Sequence, residues 1–153
     1  MSYTDAARRD PKETTMTSAS RLMSGIILIT VPTIQYGGYF LLTSLMNRNS
    51  GYMDNALRQN FFRAGHAHAG VIVLLSLISQ MLADSATLPF VLIWIVRAGI
   101  PLSAILISMG FFISMGPPDA QAPNGTVSLI YVGAILLAVC VLTLGIGLLR
   151  PAA

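Results

Sequence analysis

Four long apolar runs constrain what this chain can fold into more than any other feature. They cover residues 23–46, 64–83, 88–115 and 127–149, and the first and the last carry no charged side chain. A helix needs about 20 apolar residues to cross the hydrocarbon core of a bilayer. Lipid offers no partners to a free backbone, so each run has to be helical. The sequence therefore predicts four transmembrane helices.

The scarcity of charge supports the same prediction. Only 10% of the residues are charged and the mean hydropathy is +0.71, whereas soluble domains carry roughly a quarter charged residues. The basic residues form no stripe, which argues against a nucleic acid as partner and leaves the lipid bilayer as the main one. The single cysteine, Cys140, lies in the last apolar run, so a disulfide framework is excluded.

The connections between the runs predict how the helices are arranged. They cover residues 47–63, 84–87 and 116–126, and short links make neighbouring helices antiparallel. We find no internal repeat and no second domain. The predicted fold is all-α, an antiparallel up-down four-helix transmembrane bundle over residues 23–149. A polar tail of residues 1–22 precedes it, and we expect that tail to be disordered or to lie on the membrane surface.

The basic residues also predict an orientation, because cytoplasmic segments of membrane proteins are enriched in Lys and Arg. One side of the bundle would hold Arg8, Arg9, Lys12, Arg21 and Arg150, and the other side Arg48, Arg58 and Arg63. This bias favours a multi-pass protein of the plasma membrane with both termini in the cytoplasm.

Both histidines of the chain, His66 and His68, lie at the entrance of the second span, where residues 65–70 read Gly-His-Ala-His-Ala-Gly. Ionisable groups inside a span are costly and indicate function by default. On a regular helix, residues i and i+2 point about 200° apart, so the two imidazoles cannot chelate one metal. Their small neighbours would let another helix or a flat macrocycle approach the backbone. His66 and His68 are therefore the candidate cofactor-binding residues.

This six-residue segment resembles the His-x-His haem-ligand helices of haem–copper oxidase-like subunits, in which one helix gives a histidine to each of two haems. The resemblance implies a redox accessory subunit in which His66 or His68 is an axial ligand of haem. With no third histidine, the second ligand would come from methionine or from another subunit. Over residues 61–75 and 96–112 the chain also resembles a group of small bacterial four-span membrane proteins, which implies a fold and a compartment but no activity.

Two other interpretations remain open. The histidines could be structural and bond to neighbouring helices or water, in a packing or assembly protein that binds other membrane subunits or itself. A small channel or carrier is less well supported, because the spans offer little polar pathway. The residue sets of hydrolases and kinases are missing, since the chain has no Ser/His/Asp set, no paired carboxylates and no phosphate-binding glycine loop.

Arg97 is the second outlier, because it lies inside the third run with Pro101 one turn later. We expect its side chain to reach along its own stem towards the aqueous boundary and to pair with Asp84. The alternative is an interior partner, such as a haem propionate, a lipid phosphate or a helix carbonyl freed by Pro101.

The depth of the polar side chains suggests one further feature. With spans that alternate in direction, Gln35, Tyr39 and Tyr131 lie in the same half of the bilayer as the two histidines. We therefore expect this half of the bundle to hold most of the hydrogen-bonding side chains, although Tyr39 and Tyr131 could equally be residues of the interfacial aromatic belt. One histidine should face these residues, and the other should face lipid or another subunit.

Overall fold

The computed structural model describes residues 16–151, which form four long helices: α1 (Ser18–Met46), α2 (Ala56–Ala83), α3 (Phe90–Ser114) and α4 (Ser128–Leu149). All four are long and apolar enough to cross a membrane. This part of the chain contains no strand. The predicted all-α four-helix transmembrane bundle is confirmed.

Two helices begin earlier than the apolar runs that predicted them. α1 begins at Ser18, where the Thr17 hydroxyl accepts a hydrogen bond from the Ser20 amide at 3.2 Å. α2 begins at Ala56 and is capped by Asn55, which accepts from the Arg58 amide at 2.9 Å. Side-chain caps satisfy the free amides of a first turn, so a helix can continue past the hydrocarbon. Of the predicted tail, residues 1–15 lie outside the described residues.

α3 lies at the centre of the bundle, with α2 and α4 packed against it, while α1 packs mostly against α2. The end of α2 meets the start of α1, since Asp84 accepts a hydrogen bond from Thr17. The start of α3 meets the end of α4, where the Thr87 amide donates to the Gly147 carbonyl at 2.9 Å. Successive helices are therefore antiparallel. We call this side the termini end of the bundle and the opposite side the loop end.

Glycines bring α3 and α4 close together. A Cβ atom added to Gly110 would lie 2.9 Å from the backbone nitrogen of Ile130, and one added to Gly133 would lie 2.7 Å from a side-chain carbon of Ile107. Small residues allow backbones to approach in a membrane, where packing rather than water exclusion drives association. The main apolar core lies along this contact and continues to α2; its buried members include Ile72, Val96, Ile100, Ile107, Cys140 and Leu144.

The loop end is closed by a packed cap. Tyr52, Phe62 and Met115 are buried there together. The Asn55 side chain donates to the carbonyls of Pro118 and Ala120, at 3.0 and 2.9 Å, and so ties the first loop to the last. These bonds fix the end of the bundle near which both histidines lie.

Candidate functional site

The two histidines face different neighbours, as a regular helix requires. His66 is half-buried and faces α1, whereas His68 is exposed beside α3. The prediction that they cannot share one ligand is consistent with this geometry, and each side chain has to be considered alone.

His66 packs against two adjacent glycines of α1. A Cβ atom on Gly38 would lie 3.2 Å from His66 Cε1 and 3.3 Å from Nε2, and one on Gly37 would lie 3.5 Å from Nδ1. The imidazole therefore fills the space that the missing side chains leave. The other side of the ring borders an apolar groove of about 590 Å³ between α1 and α2. The glycine pair accommodates a histidine ring, which is the packing role that small residues have in spans.

His68 has the geometry of an oriented ligand. Its Nδ1 lies 2.7 Å from the Ala64 carbonyl oxygen, and its ring stacks on Phe111 with the centroids 5.2 Å apart. A carbonyl only accepts, so Nδ1 carries a proton, and in the neutral imidazole Nε2 then keeps its lone pair. Nε2 makes no hydrogen bond within the described residues. A bond from the second ring nitrogen is what usually fixes the tautomer of a ligating histidine.

Gln35, Tyr39 and Tyr131 do not face the bundle interior beside a histidine. Tyr39 and Tyr131 are 63% and 66% exposed, and Gln35 is exposed as well. Depth along a span follows from the sequence, but rotation about the helix axis follows from packing. Ile27 and Leu41 are the buried apolar residues of α1, which turns the polar side chains towards the membrane.

An interior haem does not fit these residues. The inward side of His66 is covered by the α1 backbone at Gly37 and Gly38. Residues 16–151 contain no group of three or more His, Cys, Asp or Glu side chains that could hold a metal ion. His68 is exposed, and its Nε2 has no hydrogen-bond partner within residues 16–151, so a second chain could complete a site there.

Arg97 forms the other polar centre, at the termini end. The residue is 3% exposed, and its Nη2 donates to Asp84 Oδ1 at 2.6 Å. Its Nη1 donates to Ser20 Oγ at 2.6 Å and to the Gln80 carbonyl at 3.1 Å. The expected pairing with Asp84 is present, but the guanidinium is enclosed by helices rather than extended along a lipid-facing surface.

Gln80 completes this centre. Pro101 has no N–H to donate to the Arg97 carbonyl, and Gln80 Nε2 donates to that oxygen at 3.0 Å instead. The Ser20 hydroxyl donates to the Gln80 carbonyl at 2.7 Å, and the Thr17 hydroxyl donates to Asp84 Oδ1 at 2.6 Å. We call these five residues the termini-end latch: Thr17, Ser20, Gln80, Asp84 and Arg97.

Three members of the latch escaped the sequence analysis. Thr17 and Ser20 were assigned to the polar tail, and Gln80 had no assigned role. One signal was available, because Gln80 precedes Asp84 by one helical turn and so shares its face of α2.

The Asp84 carboxylate is held in its ionised form. Asp84 follows the last residue of α2 and so lies outside the spans. Partial burial alone would raise its pKa, but hydrogen bonds from Thr17 and Arg97 oppose this, and the net pKa is below the usual value for aspartate. The carboxylate can therefore hold both α1 and Arg97 at neutral pH.

No known protein family, curated protein or solved structure matches this chain. The resemblances drawn from residues 61–75 and 96–112 and from the His-x-His segment stay predictions. The functional proposal rests on the geometry of the two histidines.

Proposed function

We propose that this protein is a non-catalytic membrane subunit that assembles with a second copy of itself through the outer face of α2. The observation that carries the proposal is His68, which is exposed within an apolar run, held by the Ala64 carbonyl and left with a free Nε2. A polar group in hydrocarbon without a partner costs on the order of 1–3 kcal/mol by protein mutational data. A donor from another chain would remove that cost.

The surface around His68 suits such a contact. Exposed residues at helical spacing form the outer face of α2 between His66 and His68, about 100° around the helix from each histidine: Ala67, Val71, Leu74, Ile78 and Met81. Ala67 beside the histidine leaves room for a second backbone to come close. Interhelical hydrogen bonds in bilayers contribute about 0.6–2 kcal/mol, enough to set the register of a packed pair.

Light scattering of the protein in mild detergent tests this proposal, with the mass of detergent subtracted. We expect wild type to be larger than one chain and His68→Ala to be smaller than wild type. His66→Ala is the matched control, because it removes the same side chain from the same helix on the face towards α1, and it should keep the wild-type mass. Equal masses for wild type and His68→Ala would contradict the proposal.

A haem shared with a second chain is the second candidate, and the bond from Nδ1 to the Ala64 carbonyl favours it. A bound haem would supply electron transfer. His68 would hold the iron through Nε2, Phe111 would fix the plane of the ring, and the partner would provide the other axial ligand.

The absorption spectrum separates the two candidates. Haem ligation requires a Soret band that is lost in His68→Ala and kept in His66→Ala. If the particle is larger than one chain but stays colourless after haem is added, the result supports assembly and contradicts haem binding. A band that survives in His68→Ala contradicts ligation by this residue.

We further propose that the protein resides in the plasma membrane with both termini in the cytoplasm. Arg21 and Arg150 lie at the termini end, and the sequence places three further basic residues before α1, whereas Arg58 and Arg63 lie at the loop end. The positive-inside rule favours the richer side as cytoplasmic. Reporter fusions after Ser50, Ala86, Gln121 and Ala153 test this orientation, and an external signal at Ala153 would contradict it.

A further inference from the structure

α1 leaves an apolar space between itself and α3. Two cavities of about 330 and 270 Å³ lie there, and they adjoin because Thr30, Val73 and Ile105 line both. The first extends towards Ala98 at the termini end, and the second towards Ser108 at the loop end. We call this space the α1–α3 cleft.

The α1–α3 cleft opens sideways into the membrane. Three residues of α3 at its mouth are about half exposed: Leu102 at 47%, Ile105 at 52% and Met109 at 44%. The two adjoining cavities together fall within the range of roughly 300–1,000 Å³ that is typical of small-molecule sites. Hydrocarbon is the solvent at this depth, so the natural occupant of an apolar space that opens there is a hydrocarbon chain.

One polar atom in the cleft lacks a partner. The hydroxyl oxygen of Ser108 is buried and makes no hydrogen bond within the described residues. The fully buried serines of the spans all donate to a backbone carbonyl: Ser20, Ser76, Ser79, Ser103 and Ser114. A buried donor that is left unsatisfied destabilises the structure. Ser108 therefore marks a position where an acceptor from outside the chain would be stabilised.

We propose that the α1–α3 cleft binds one acyl chain of a membrane glycerolipid, with the ester carbonyl accepting a hydrogen bond from Ser108. Ser108 lies in the loop-end half of α3, about 9 Å along the axis from Ser114 at 1.5 Å per residue, so the lipid would enter the cleft from the loop-end leaflet. From Ser108 to Ala98 the cleft runs along the span for about 15 Å at the same rise. The chain thus lies parallel to the neighbouring lipids.

α1 is attached so that it can close over such a chain. At the termini end the latch holds it through Thr17 and Ser20, and towards the loop end Gly37 and Gly38 rest on His66. The cleft lies between these two attachments, beside Pro32, which interrupts the hydrogen bonds of α1. The middle of α1 can therefore bend to fit a chain while both ends stay in place.

Photolabelling of the full chain tests the position of the lipid. The protein is reconstituted in phosphatidylcholine vesicles that contain a small share of phosphatidylcholine with a diazirine on one acyl chain. We expect labelling to concentrate on Ile105 and Met109, and Ala69→Leu, which fills the cleft, to lower it several-fold. Ala138→Leu on the outer face of α4 is the matched control and should change nothing. Labels spread evenly over the lipid-facing residues would overturn the proposal.

Competition tests the hydrogen bond separately and does not depend on Ala69→Leu being folded. Methyl palmitate should compete with the label about two- to thirteenfold better than hexadecane, as a hydrogen bond of about 0.5–1.5 kcal/mol implies. Ser108→Ala should abolish that preference, whereas Ser103→Ala, which removes a hydroxyl already bonded to Ile100, should retain it. Equal competition by the two compounds in wild type would overturn the role of Ser108. A benzoquinone with a decyl tail that outcompetes methyl palmitate would overturn the assignment to a glycerolipid.

Discussion

α4 and α1 are both apolar spanning helices, yet they are attached to the rest of the bundle in different ways. α4 meets α3 through glycines of both helices, since a Cβ atom on Gly99, Gly110 or Gly133 would lie within 3 Å of the facing helix. α1 buries little of its surface, is held near its two ends and leaves the α1–α3 cleft between them. Hydropathy therefore identifies a span but does not determine how firmly it is packed.

The physical reason lies in what drives association inside a bilayer. Lipid tails are as apolar as leucine, so burial of apolar surface provides little attraction between helices. Close packing and hydrogen bonds are left to hold the helices together. α3 and α4 are held by close packing, whereas α1 depends on the hydrogen bonds of the termini-end latch. The predictions that follow perturb one type of attachment while the other is left intact.

The largest effect is expected from Arg97→Leu. Removing Arg97 leaves the Asp84 carboxylate at the termini end without its charged partner, and a hydrogen bond to a charged group contributes about 1.5–3 kcal/mol. The bonds of Nη1 to Ser20 and Gln80 are lost as well. We expect a clear drop in the midpoint of thermal unfolding, followed by circular dichroism in detergent. The midpoint of Arg97→Lys should lie between those of wild type and Arg97→Leu, because lysine keeps the charge but not the planar guanidinium.

Arg21→Leu is the control for that experiment. Arg21 is exposed at the same end of the bundle, so its removal should change the midpoint little. A loss as large as that of Arg97→Leu would mean that net charge, rather than the latch, determines stability.

Gly110→Ala should have the next largest effect, because it acts on the tight contact. The new Cβ would lie 2.9 Å from the backbone nitrogen of Ile130, which cannot rotate away. Overpacking of this kind costs about 1–3 kcal/mol. Gly145→Ala in α4 meets nothing within 4 Å, so it should be neutral or stabilise the helix by up to about 1 kcal/mol. The thermal midpoints of the two variants should therefore move in opposite directions or differ clearly.

This contrast also shows how much of the molecule the sequence determines. The spans and the Arg97–Asp84 pair were predicted, because run length and the cost of a charge in lipid leave few choices. The outward rotation of Gln35, Tyr39 and Tyr131 was not, because rotation depends on which residues of other helices each face meets. The role of Ser20 was missed for a related reason. A serine just before an apolar run looks like part of a polar tail, and only the folded bundle brings its hydroxyl to Arg97.

Acid should weaken the latch and leave the α3–α4 contact unchanged. The folded-state pKa of Asp84 lies below its unfolded value, so its contribution is fully present above the unfolded value of about 3.9 and is lost as the pH falls through the folded value. Thermal midpoints of wild type and Asp84→Asn should differ by a constant amount above about pH 5 and converge in stronger acid. A difference that stays constant down to the lowest pH would contradict the role of this carboxylate.

The smallest effect is expected from Gly38→Ala. Its Cβ would lie 3.2 Å from His66 Cε1, and a side chain that borders an open groove can move by a few tenths of an ångström. We expect a loss within about 1 kcal/mol, because the steric cost is offset by the better helix propensity of alanine. If Gly38→Ala were as costly as Gly110→Ala in the same thermal assay, α1 would be packed as rigidly as α4.

The latch also has a consequence for the order in which the protein is made. The partners of the Arg97 side chain are Ser20, Gln80 and Asp84, and all three precede it in the chain. Synthesis proceeds from the N-terminus, so the first two helices are already in the bilayer when Arg97 leaves the insertion machinery. An arginine near the centre of an inserting helix otherwise costs about 2.5–3.5 kcal/mol. The first two helices thus provide hydrogen-bond partners for Arg97 while the third helix inserts, which lowers the cost of placing its charge in the bilayer.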